Sequence, residues 1–79
     1  MPWSSAEVIR AVERHGYVRK EGRGRRGTHR VWARDGLPGE RHNTVLIALN
    51  KNRIPDGTLH SMLRQLGIDE ATLRSWLDD

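Results

Sequence analysis

The chain has no cysteine, so neither a disulfide staple nor a thiolate metal site is available to it. A cysteine-free composition agrees with a reducing compartment, and the expectation is a soluble, cytoplasmic protein. No apolar run approaches the ~20 residues needed to span a bilayer. Met1-Pro2-Trp3-Ser4-Ser5 lacks the charged stretch followed by an apolar one that marks a signal peptide, so no membrane association is expected. Repeats and low-complexity tracts are missing too. The glycine-rich stretch 22–27 has neither dinucleotide-binding spacing nor a following GKS or GKT, which excludes a P-loop. With 79 residues there is room for one hydrophobic core, hence a single domain over 1–79.

What is present is positive charge. The formal net charge is +4, and twelve of the fourteen basic residues are arginine. Arginine presents a planar fork of donors that matches phosphate. A high arginine content also follows from GC-rich coding, so its distribution matters more than its total. Arg19, Lys20, Arg23, Arg25, Arg26 and Arg30 fall in one short segment, while the stretch from Asp69 to Asp79 is acidic. A one-ended field of this kind favours a polyanion at the basic end.

The hydrophobic pattern predicts a first helix over about 5–15, entered through a Ser4/Glu7 capping box and ended by Gly16. Three strands follow, over 17–21, 28–34 and 42–49, separated by the glycine–arginine loop 22–27 and the turn 35–39. Residues 50–53 form a polar connection. Ile54-Pro55-Asp56-Gly57-Thr58 leads into a second helix with the stripe Leu59, Met62, Leu63 and Leu66, stopped by Gly67. Asp69 caps a short final helix carrying Leu73, Trp76 and Leu77. Consecutive strands with short connections make an antiparallel sheet, and single-striped helices pack side by side on one of its faces. The predicted fold is an α+β two-layer sandwich, α-β-β-β-α with an extra C-terminal helix.

Four histidines are available for chemistry: His15, His29, His42 and His60. No pair has metal-ligand spacing, so no metal site is expected. His15 reads as a helix C-terminal residue and His60 as plain surface, while His42, at the start of the third strand, keeps a binding role open. His29 differs because it directly follows the glycine–arginine loop. Glycines let backbone amides approach phosphate and arginines neutralise it, and imidazole takes and returns protons near neutral pH. RNA carries its own nucleophile in the 2′-hydroxyl, so one positioned base and nearby positive charge suffice for cleavage. Spacing equally allows His29 to be an ordinary strand-end residue and the loop to be merely solvated. Trp3, Trp32 and Trp76 are candidate stacking platforms for bases. Trp76, with Leu73 and Leu77, reads as core, whereas Trp32, of opposite parity to Val31, is expected on the open sheet face.

Gly16-Tyr17 closing the first helix, the step Gly27-Thr28-His29, and Pro55-Asp56-Gly57-Thr58-Leu59 followed by Met62-Leu63 and Leu66-Gly67 together resemble the HicA-type toxins over nearly the whole chain. The resemblance implies a fold like that of the double-stranded-RNA-binding domain (dsRBD-like). It also implies a metal-independent mRNA endonuclease that blocks translation, neutralised by a HicB-type antitoxin. The essential histidine of that family opens the second strand, a place held here by His29. Many members carry Pro-x-His at the end of the third strand, where this chain has Ala48-Leu49-Asn50.

On that reading His29 serves as base toward the 2′-hydroxyl or as acid for the leaving oxygen. Lys20, Arg26 and Arg30 hold the phosphate, the backbone of Gly27 and Thr28 helps place it, and Arg23, Arg25 and Trp32 complete the RNA surface. No cofactor is expected. The rival reading is a non-catalytic RNA-binding module of the same fold. A third assigns the basic surface to an acidic protein partner, the antitoxin.

Overall fold

The computed structural model describes residues 2–20, 29–35 and 43–78. Helix α1 (Ser5–Glu13) starts on Ser4, whose hydroxyl accepts the Glu7 N–H while the Glu7 carboxylate accepts the Ser4 N–H at 2.9 Å. This reciprocal box satisfies two of the donors that every helix start leaves unpaired. The helix stops two residues short of the expected end. Gly16 adopts φ +88°, and the Tyr17 N–H turns back to the Val12 carbonyl at 3.1 Å. Tyr17 therefore closes the helix rather than opening the first strand, and its ring is buried.

Strands β1 (Val18–Lys20), β2 (His29–Ala33) and β3 (Thr44–Ala48) form an antiparallel sheet in the order β1-β2-β3. Among the described residues the strands stop short of their sequence windows at Tyr17, Arg34, Asn43 and Leu49, while Glu21, Thr28 and His42 lie outside the described residues. Helix α2 (Asp56–Leu66) ends on Gly67 in the left-handed region at φ 71°. The Asp69 carboxylate accepts the Thr72 N–H at 2.8 Å at the start of α3 (Glu70–Asp78). Those hydrogen bonds from Thr72 hold the Asp69 carboxyl below its ordinary pKa. The architecture is α+β, three helices and a three-stranded antiparallel sheet among the described residues, as the sequence predicts.

Two expectations are corrected. Cross-strand partners share a face, and Trp32 pairs with Val45 while Arg30 pairs with Ile47. Trp32 therefore points toward the helices with Val45 and Ile47, not to the open face, and is only 2% exposed. The indole is among the largest fully buried side chains, and burying it removes a large apolar area from water. Its N–H also finds the Glu13 carboxylate at 2.9 Å.

The second correction concerns the helices. α1 takes α3, not α2, as its main helical neighbour, and α2 packs on β3. Leu73 of α3 is fully buried, and Trp76 and Leu77 pack against the core. The Trp3 indole N–H donates to Glu70 at 3.3 Å, and the Arg74 guanidinium lies 4.0 Å from the centre of that ring. Trp76 stacks on His15 at 4.2 Å, and Arg14 donates to the Leu77 carbonyl at 2.8 Å. The final helix is thus a full member of the helical layer. All three tryptophans serve packing, with Trp3 buried as deeply as Trp32.

Candidate functional site

His29 is the first residue of β2 and is half-buried. It pairs across the ladder with Ala48, the last residue of β3, and shares its face with Val31 and Ala33. Alternation puts this face away from Trp32, Val45 and Ile47, hence away from the helices. Lys20 pairs with Val31 and so lies on the same face as His29. Diagonal neighbours of this kind are separated by about 7–8 Å, within reach of a long cationic side chain. The same face carries Val18, 57% exposed, and Leu46, 36% exposed, while Val31, Ala33 and Ala48 on it are buried, so it meets solvent at its margins.

Arg30 is placed differently from Lys20. It pairs with Ile47, on the helix side of the sheet, and its Nη1 donates to the His29 carbonyl at 2.7 Å. Its charge is thereby held at the backbone of the residue carrying the imidazole. Arg23, Arg25, Arg26, Gly27 and Thr28 lie outside the described residues, as does His42. Trp32 belongs to the core, so its expected place among the RNA-contacting residues is corrected: a ring this buried offers no face for a base to stack on. His60 is exposed on α2, while His15 is engaged with Trp76.

Several arginines have structural work that composition does not reveal. Arg19 lies 5.9 Å from the Trp32 ring centre, Arg34 lies 4.8 Å from that of Tyr17, and Arg74 lies 4.0 Å from that of Trp3. These cation–π contacts place guanidinium groups around the core's rim. Among the described residues no group of three or more His, Asp or Glu side chains could hold a metal ion. No described helix is long and apolar enough to cross a membrane.

Sequence reasoning missed Ser5. Its local pattern marks only a helix start, but it is buried and reaches across the fold to the end of β3. Its hydroxyl donates to the Ala48 carbonyl at 2.6 Å and accepts the Lys51 N–H at 3.0 Å, and its own N–H donates to the Lys51 carbonyl at 2.9 Å. The strand residue opposite His29 and the loop beyond it are thus tied to α1. No local pattern signals this, because Ser5 and Ala48 are 43 positions apart.

A search of curated proteins found no match. A family model described as the HicA toxin of bacterial toxin–antitoxin systems matches residues 5–68, from the first residue of α1 to just past Gly67. That span includes the capping serine's helix, the whole sheet with His29 and the second helix, and leaves out α3. The chain therefore belongs to the HicA toxin family of bacterial toxin–antitoxin systems.

Proposed function

We propose that this toxin is an mRNA endonuclease that blocks translation in the cytoplasm, with His29 as its acid–base group and a HicB-type antitoxin as its inhibitor. The observation that carries the reading is the placement of His29 at the end of the sheet face turned away from the helices, together with Lys20. A half-buried imidazole on a solvent-facing surface can meet a polymer, which one turned toward the helices could not.

In the proposed reaction, the His29 imidazole removes the proton from a ribose 2′-hydroxyl. The resulting oxygen attacks the adjacent phosphorus, the bond to the 5′-oxygen breaks, and that oxygen leaves with a proton from water or imidazolium. A 2′,3′-cyclic phosphate and a 5′-hydroxyl remain. Lys20, Arg23, Arg25 and Arg26 lower the cost of the charge that builds on the phosphate. Gly27 and Thr28 offer backbone amides, and Arg30 adds positive charge beside the His29 backbone.

The test is incubation of purified protein with single-stranded RNA in the presence of EDTA. Wild type is expected to cut and His29→Ala to leave the RNA intact. Equal cleavage by both proteins rejects His29 as the acid–base group. RNA binding without cleavage by either supports the non-catalytic module instead, and loss of cleavage in EDTA alone points to a metal.

A further inference from the structure

A groove of about 470 Å³ lies between the start of α1 and the loop that leaves β3. Its volume is in the range of small-molecule sites, about 300–1,000 Å³. The half-buried Ile9 and Leu49 give it an apolar lining, and Asn50, Lys51 and Asn52 stand exposed along it. We propose that this groove binds the nucleotide flanking the cleaved phosphate, with Asn50, Lys51 and Asn52 as specificity-determining residues. The proposal rests on the reading of His29 as the acid–base group.

Position is the first argument. Ala48 pairs directly with His29, and paired Cα atoms in an antiparallel ladder are about 4.5–5.5 Å apart. The groove opens at the residues that follow Ala48 and is walled by Ser5, which is bonded to the Ala48 carbonyl. An RNA strand with its phosphate at His29, on the face away from the helices, would reach the groove by turning round the end of β3, because α1 walls the groove on the helix side.

Charge is the second. The chain has only two lysines, Lys20 and Lys51. β1 and β3 both run antiparallel to β2, so the end of β1, the start of β2 and the end of β3 lie at one end of the sheet. The two lysines thus flank His29 on either side, one at the end of β1 and one in the loop after β3. A lysine is a compact charge on a flexible stem and suits successive phosphates without demanding one orientation.

The third argument is preorganisation. Ser5, itself 4% exposed, binds the loop through its hydroxyl and its backbone at both Ala48 and Lys51. Asn50 adopts φ 60°, a left-handed conformation that asparagine tolerates better than most residues. A loop already fixed in shape loses less entropy when it takes a ligand. The exposed amides of Asn50 and Asn52 supply both donors and acceptors, the complement of a base edge, while the apolar lining suits its ring.

Lys51→Ala and the groove-filling Ala6→Phe, both at exposed positions, test this with two readouts. The first is affinity of a fluorescein-labelled single-stranded RNA decamer, measured by anisotropy in a His29→Ala background so that no RNA is consumed. Lys51→Ala is expected to weaken binding about 3–10-fold and Ala6→Phe at least as much, with unchanged circular dichroism. The second is the distribution of cut sites on a mixed-sequence RNA pool in the catalytically intact background. Ala6→Phe is expected to relax the preference at one position beside the cut. Unchanged affinity and unchanged cut sites in both variants overturn the groove assignment, whatever happens at His29. Failure of the acid–base reading has a separate signature, namely cleavage by His29→Ala at the wild-type rate.

Discussion

The two faces of the sheet have been given opposite tasks by residues that alternate along the same strands. On the helix side, Trp32, Val45 and Ile47 are buried and unite α1, α2 and α3 into one core. On the other side, Val18 and Leu46 remain exposed, and Lys20 and His29 stand at one end. A shift of one residue in the register of β2 would exchange Trp32 and His29 between these environments. The covered face therefore does more than stabilise. By requiring Trp32, it turns His29 to the face away from the helices.

The largest expected effect separates the faces by activity. His29→Ala should lower RNA cleavage about 10²–10⁴-fold, the usual worth of a positioned acid–base group, with a thermal midpoint close to wild type. A matching loss of stability would place His29 in the core and break the contrast. On the covered face, Trp32→Ala should destabilise the protein by about 3–5 kcal/mol, the cost of emptying a large aromatic site. Urea titration followed by circular dichroism measures it, and a loss below about 1 kcal/mol would show that the covered face is not the core. Val18→Ala and Leu46→Ala should each change stability by no more than about 0.5 kcal/mol, as exposed positions do. Larger losses in urea would mean that the outer face is packed.

The smallest effect lies outside both faces and calibrates them. The Asp69 carboxyl has a pKa held below its unfolded value by Thr72. Its contribution is therefore present at neutral pH and is lost as pH falls through the carboxylate range into the folded-state pKa. Asp69→Asn should flatten the acid limb of the stability–pH curve slightly and leave the neutral region nearly unchanged. An identical acid limb in the variant would remove Asp69 from the account of α3.

Much of the fold was legible because its signals are local. Ser4 and Glu7 announce a helix start, Gly16 and Gly67 announce two stops, and the stripe Leu59, Met62, Leu63 and Leu66 announces the buried side of α2. Each feature depends on residues within a few positions of one another. The candidacy of His29 is legible for a similar reason, since it directly follows a stretch rich in glycine and arginine. Trp32 was misplaced because β2 reads His-Arg-Val-Trp-Ala, with apolar side chains on both parities. No periodicity within five residues can say which parity is covered. The role of α3 was underestimated because Trp3, Glu7 and His15, the groups that receive it, come from the other end of the chain.

The sequence alone determined the order of elements, the cationic character of one segment and the candidacy of His29, since all three reside in composition and short-range spacing. The tertiary structure alone decided which sheet face is covered. Helices at one end of the chain must meet strands in the middle before Trp32 has an inside to point toward. The same long-range assembly brings Ser5 to Ala48 and Lys51, and so shapes a groove beyond the end of the strand that pairs with His29.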